Sequence, residues 1–227
     1  GLIYSAITQM LGYKPMEEEY IVMGLAAYGE PNIDLSYLLD KNCHRGISKM
    51  AWKSEDIAAS VQKLYEDELL KIIEKYCHHK NLILMGGCAL NCVANSKINN
   101  KNIWIMPNPG DAGSSLGAAA SLYNQKLRWK GPYLGTEIKS KSNPKEIARY
   151  LYDHGVCGVA SGRAEFGPRA LGNRSLVADP RRDIKDTVND IKRRQKFRPF
   201  APAILEEYAN EYFEGPMNEY MQFVSKA

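Results

Sequence analysis

The chain has 227 residues, 44% of them hydrophobic and 25% charged, enough to bury a core as one large or two small domains and too rich in apolar residues for a disordered polypeptide. Thirty Lys and Arg against 26 Asp and Glu give a net charge of +4, too mild and too mixed to indicate nucleic acid as a partner, so any basic site has to be local.

In chain order, GLIYSAITQMLG at residues 1–12 has apolar residues at helical spacing and a closing glycine, which predicts a helix. YIVMGLAAYGEPN then reads as a glycine-punctuated loop. The clearest helix is SEDIAASVQKLYEDELLKIIEKYCHH, where Ile57, Val61, Leu64, Leu69, Ile72 and Ile73 repeat on one face. NLILMGGCALN is a short apolar run, a glycine pair and a new helical stretch; NIWIMPNPGDAGSSLGAAASLYNQ repeats that plan, with a helix from about Ser114. Two such loops should meet at the ends of neighbouring strands. Between about Gln125 and Pro144 the composition turns to basic, Gly, Pro and Ser residues, which places a domain boundary there and divides the chain into residues 1–130 and 131–227. PKEIARYLYDHG then predicts a helix, VCGVASG a strand entering the RAEFGPRALGNRS loop, LVADP a second strand, and IKDTVNDIKRRQ a helix ahead of KFRPFAPAIL.

No stretch approaches the roughly 20 apolar residues of a membrane span, and no basic and apolar leader opens the chain. Cys43, Cys77, Cys88, Cys92 and Cys157 lack the spacing of a secreted disulfide scaffold, which predicts reduced thiols and a cytoplasmic protein. Cys88 and Cys92 are not spaced as zinc ligands, and His78 and His79 fit a helix end better than a metal.

The residues that could carry chemistry lie in the loops. Arg163, Arg169, Arg174, Arg181 and Arg198 all fall among glycines and prolines, which fix the backbone and admit close approach. A planar guanidinium binds phosphate or carboxylate oxygens bidentately, so several around one pocket would hold a polyanion; alternatively they are surface residues paired with Glu165, Asp179 or Asp183. Phe166, Pro168, Leu171, Phe197, Pro199 and Phe200 interleave the charges and suit pocket walls. Ser175 and Asn173 could add neutral hydrogen bonds and Lys196 a point charge. In the first half, the backbone N–H groups of Gly86 and Gly87 suit a phosphate or ribose, although tight helix–strand packing explains the pair equally well. Asp111 could ligate a metal beside a nucleotide or cap the following helix.

Taken in order, EYIVMGLAAYGEP, LILMGGCALNCVANSKI, PNPGDAGSSLGAA, PYLG, EFGPRALGNRSLVADPR and KFRPFAPAIL closely resemble the carbamoyltransferase family that includes the nodulation protein NodU and the tobramycin O-carbamoyltransferase. The resemblance runs over nearly the whole chain. It implies an α/β protein: the C-terminal part of an actin/hexokinase-like ATPase domain at residues 1–130, followed by part of a YrdC-like α/β domain at residues 131–227. It implies ATP and carbamoyl phosphate as reactants, carbamoyl adenylate as intermediate, a hydroxyl-bearing small-molecule acceptor, and a divalent metal, iron or magnesium. By the same resemblance Gly86, Gly87 and Asn91 bind nucleotide, Asp111 ligates the metal, and Arg169, Arg174, Ser175 and Arg198, with Lys196, hold carbamoyl phosphate and act in catalysis. A homodimer is among the expected states. The family's early histidine motif and its closing His-Asp-Gly-Thr-Ala-Arg-like motif are not found, which predicts an internal piece of such an enzyme with an incomplete metal site. Two rival expectations follow: a unit that binds nucleotide without turnover, and a threonylcarbamoyl-tRNA-type enzyme, which the modest charge disfavours.

Overall fold

The computed structural model describes residues 1–139 and 143–227. Three helices build the main core. Helix α1 (Leu2–Met10) buries Tyr4, Ala6, Ile7 and Thr8, helix α2 (Glu19–Leu25) buries Ile21, Val22 and Leu25, and helix α3 (Ser54–Tyr76) buries the run from Ile57 to Gln62. Their apolar side chains join Leu35, Leu38 and Cys43 in one cluster, inside which Ile7 and Val22 have no exposed surface.

The segment expected as a loop is instead α2 followed by a 3-10 turn at Ala26–Tyr28. Ile21, Val22 and Leu25 present a helical face to the core, and that burial outweighs the roughly 1 kcal/mol that Gly24 costs inside a helix. Gly29 is a different case. A Cβ there would lie 2.1 Å from the Glu55 carbonyl carbon, so only glycine lets this turn lie against the first turn of α3. The Glu30 N–H completes the contact by donating to Asp56 Oδ1 at 2.9 Å.

Strands β1 (Asn81–Leu84) and β2 (Asn102–Ile105) pair in parallel, with Leu82 opposite Ile103 and Leu84 opposite Ile105. Their crossover holds a 3-10 turn at Gly87–Leu90 and the short helix α4 (Cys92–Asn95). Helix α5 begins at Ser114, as the small-residue pattern predicts, and ends at Tyr123; none of its residues is buried.

The second half is also mixed α/β. Strand β3 (Glu137–Ile138) precedes helix α6 (Pro144–His154), which Asn143 caps by accepting from the Lys145 N–H at 3.0 Å. Strands β4 (Val156–Ala160) and β6 (Arg174–Ala178) pair antiparallel over five residues, and the short β5 (Gly162–Arg163) pairs with β3. Helices α7 (Lys185–Ile191) and α8 (Glu206–Tyr212) follow. Residues 140–142 of the composition-defined boundary segment lie outside the described residues. None of the five cysteines is disulfide-bonded, and among the described residues no helix is long and apolar enough to cross a membrane.

The C-terminal stretch returns to the first half. Gln222 Nε2 donates to the Ile105 carbonyl at 2.8 Å, Asn95 Nδ2 donates to the Gln222 carbonyl at 3.0 Å, and the Val224 N–H donates to Ser96 Oγ at 2.7 Å. Phe197 packs against the helical core, where the Tyr28 hydroxyl donates to its carbonyl at 2.9 Å. Truncating Ile7 to alanine is expected to cost about 2–5 kcal/mol in a denaturant melt, because the three-helix core cannot close over the hole. The same change at Leu122, 89% exposed on α5, is expected to cost about 0.5 kcal/mol or less.

Candidate functional site

Parallel pairing of β1 and β2 places the loops after them at one edge of the sheet, and these loops touch. The Gly86 N–H donates to the Pro109 carbonyl at 2.7 Å, and a Cβ on Gly110 would lie 4.0 Å from Gly87 Cα. Gly86 has φ 87°, the left-handed region open to glycine. No atom lies within 4 Å of where a Cβ on Gly86 or Gly87 would point, so the surface over both is open. The bond to Pro109 uses the Gly86 N–H, while among the described residues the Gly87 N–H has no acceptor. Asn91 is engaged locally: its Oδ1 caps α4 by accepting from the Ala94 N–H at 3.0 Å, and its amide exchanges hydrogen bonds with Gln62 of α3 at 2.9 and 3.1 Å.

On the second loop Pro107, Asn108 and Pro109 are buried, and Gly113 packs so tightly on the Asn108 carbonyl that a Cβ would sit 1.9 Å from its oxygen. Asp111 is exposed at the start of a 3-10 turn and caps no helix. Among the described residues no three His, Cys, Asp or Glu side chains are grouped. Asp111 therefore belongs to no group of three such side chains, and the described residues do not by themselves make a metal-ion site.

The third loop, Glu165 to Arg174, lies across the other two. A Cβ on Gly167 would come within 2.9 Å of the Pro107 carbonyl oxygen, and Arg169 Nη2 donates to the Leu90 carbonyl at 3.0 Å. One of the five guanidinium donors of Arg169 is thus used, and the others remain at the junction. Glu165 shapes this loop from within. Its Oε1 accepts from the N–H groups of Leu171, Asn173 and Arg174 at 2.8, 2.9 and 3.3 Å. Partial burial pushes its carboxyl up, but the backbone donors of Glu165 itself, Leu171, Asn173 and Arg174 outweigh that and hold it below the ordinary value.

The remaining arginines divide. The Arg174 guanidinium donates to the carbonyls of Ser161, Asn173, Thr136 and Gly162 at 2.6–3.3 Å, tying β6 to β5 and to the residue just ahead of β3. Ser175 Oγ accepts from the Gly172 N–H at 2.9 Å. Arg163 donates to the Leu134 carbonyl at 2.8 Å. Arg181 chelates Asp179, whose carboxyl is held down to about 2 by the Arg181 side-chain and backbone donors. Arg198 lies over the Tyr20 ring, its Cζ 4.4 Å from the centroid, and Lys196 pairs with Asp190. The structure thus brings Gly86, Gly87, Asp111 and Arg169 to one junction, holds Arg174 and Ser175 in the β6 scaffold, and places Arg198 against α2. Sequence reasoning weighed Glu165 only as an arginine partner. The signal for its real role was a carboxylate two residues ahead of Gly167-Pro168, at the start of a loop that reaches Gly172 without regular structure.

Residues 38–120 match the family described as Carbamoyltransferase N-terminus, and residues 148–227 match Carbamoyltransferase C-terminus. The chain is 35% identical to an uncharacterized protein of Synechocystis sp., over 94% of this chain and 47% of that protein. It is also 35% identical to nodulation protein NolNO of Sinorhizobium fredii, over 95% and 40%, and 34% identical to nodulation protein U of Bradyrhizobium diazoefficiens, over 76% and 35%. The chain therefore spans less than half the length of these relatives.

Because the folded pKa of Glu165 is lowered, the stability it contributes is complete above the ordinary carboxyl value of 4.5 and is lost as pH falls through the folded pKa. In Glu165→Gln that component of the acid-unfolding curve is expected to vanish, read as a shallower fall of the thermal midpoint below pH 4.5 than in the unchanged chain.

Proposed function

The chain belongs to the carbamoyltransferase family, and on that premise we propose that it works in ATP-dependent transfer of a carbamoyl group to a hydroxyl. In this reading residues 1–130 are the C-terminal part of an actin/hexokinase-like nucleotide-binding domain and residues 131–227 part of a YrdC-like domain. The observation that carries the proposal is the three-loop junction, where Arg169 from the second half reaches the Leu90 carbonyl beside the open Gly86–Gly87 surface.

Carbamoyl phosphate and ATP are the reactants. One water enters, orthophosphate and pyrophosphate leave, and the carbamoyl oxygen is joined to the α-phosphorus as carbamoyl adenylate. The acceptor oxygen then bonds to the carbamoyl carbon as AMP leaves and the hydroxyl proton is released. The residues of this chain supply binding and charge. The free Gly87 N–H and the unused Arg169 donors point phosphate oxygens toward the junction, and a fixed guanidinium neutralises charge as pyrophosphate departs. Arg174 and Ser175 act by fixing the loop that presents Arg169.

That Asp111 belongs to no described group of three possible metal ligands favours one further reading, a unit that binds carbamoyl phosphate or nucleotide and leaves turnover to other parts of the protein. Exchange of labelled pyrophosphate into ATP, measured with and without carbamoyl phosphate, tests the main reading in this chain and in the Synechocystis relative. Carbamoyl-phosphate-dependent exchange is expected, reduced about tenfold or more in Arg169→Ala. No exchange from either protein contradicts it.

A further inference from the structure

The glycine turn after β1 is anchored from three directions. Its Cys88, Ala89 and Leu90 carbonyls, three in succession, accept from the Tyr65 hydroxyl of α3 at 3.1 Å, Asn95 Nδ2 of α4 at 2.9 Å and Arg169 Nη2 of the second half at 3.0 Å. We propose that Gln62 and Tyr65 of α3 are positioning residues that fix this turn so that the Gly87 N–H is presented outward to a nucleotide phosphate. The inference rests on the nucleotide reading of the Gly86–Gly87 surface and adds the side chains that hold that surface in place.

Peptide geometry sets the direction. In a planar trans peptide the C=O and the N–H that follows it point opposite ways. The Gly86 carbonyl is turned into the 3-10 turn, where it accepts from the Ala89 N–H at 3.0 Å, so the Gly87 N–H of the same peptide points away from the turn, toward the open surface. The Cys88 carbonyl likewise accepts from the Asn91 N–H at 3.1 Å. A single 3-10 turn has few bonds of its own and poorer hydrogen-bond geometry than an α-helix, so its side-chain anchors decide whether it keeps that direction.

Gln62 and Tyr65 stand three residues apart on α3 and meet the turn from one helical face. Gln62 is buried, and all four hydrogen-bonding positions of its amide are used. Its Oε1 accepts from the Tyr4 hydroxyl and from Asn91 Nδ2, each at 2.9 Å, while its Nε2 donates to Glu66 Oε1 at 2.8 Å and to Asn91 Oδ1 at 3.1 Å. The paired amides leave the Asn91 side chain one orientation, the one in which its Oδ1 also caps α4. Leu90, whose carbonyl Arg169 reaches, is the residue directly before Asn91, so α3 fixes the seat of Arg169 as well.

Tyr65 adds a hydroxyl that can be removed without disturbing its ring. The ring packs edge-on against Tyr4, with centroids 6.0 Å apart and planes at 83°, on the partly buried rim of the three-helix core. Burial, then the Cys88 side chain, pushes the phenol above its ordinary value, so the hydroxyl stays protonated and keeps donating near neutral pH. The Cys88 carbonyl retains the Asn91 N–H when that hydroxyl is deleted, which makes Tyr65→Phe a local change.

Amide hydrogen exchange and calorimetric titration with ATP, both on the whole chain, test the anchoring. In Tyr65→Phe the Ala89 and Asn91 amides are expected to exchange about fivefold faster while those of α2 stay within about twofold, and ATP is expected to bind about threefold more weakly. Gln62→Met, which removes both bonds to Asn91, is expected to weaken ATP about tenfold. Ile7→Val loosens the same core away from the turn and is expected to leave ATP affinity within about twofold. Unchanged exchange at Ala89 and Asn91 in Tyr65→Phe, unchanged ATP affinity there, or an equal loss in Ile7→Val overturns the proposal. Absence of ATP binding by the unchanged chain overturns it too, and carbamoyl-phosphate-dependent pyrophosphate exchange in the Synechocystis relative would then keep the carbamoyl reading standing. ATP affinity that follows Tyr65, with no such exchange from either protein, sustains the anchoring and removes that reading instead.

Discussion

A single carboxylate oxygen gives the site its shape. The loop from Glu165 to Asn173, ahead of β6, has no strand or helix of its own to hold it, and its Gly and Pro residues would leave most of its backbone N–H groups without partners. Glu165 Oε1 collects three of those groups, converting a flexible sequence into a fixed turn. An ionised acceptor with backbone donors makes stronger bonds than a neutral one, and such donors cannot swing away as side chains can. Arg174 closes the same loop from the strand side by giving four hydrogen bonds to carbonyls. With both ends secured, Arg169 is held at a defined place over Leu90 and Gly167 rests on Pro107.

The two loops beneath it owe their proximity to sheet topology. Parallel strands end on the same side, so the glycine pair after β1 and the Pro-Asn-Pro-Gly turn after β2 have to be neighbours, and the Gly86 to Pro109 bond locks them. Glycine is required here for different reasons at different positions: a positive φ at Gly86, contact with the Asn108 carbonyl at Gly113, and contact with the Pro107 carbonyl at Gly167. These requirements give the glycines of the loop motifs a physical basis in backbone conformation and packing. The resulting junction draws on both matched segments, residues 38–120 and 148–227, so neither alone would carry it.

Much of this was legible in the residues. The face of α3, the repeated strand-turn-helix plan that starts at β1 and β2, the start of α5 at Ser114 and the meeting of two strand-end loops follow from periodicity and turn chemistry. The α2 helix was not, because Gly24 and Gly29 resemble loop punctuation until the burial of Ile21, Val22 and Leu25 is known. Residue type identifies a cation but not its acceptor: Arg174 and Arg169 look alike in sequence, yet one is consumed by carbonyls and the other keeps donors. Asp111 illustrates the limit of local reasoning, since a carboxylate before a helix need not cap it.

The claim that most needs direct measurement is that the three loops form one site. Amide chemical shifts of Gly86, Gly87, Gly110 and Gly172 followed during a titration with carbamoyl phosphate report on all three loops at once. A single saturation curve shared by these glycines is the predicted result. Shifts confined to one loop, or curves with different midpoints, would contradict it.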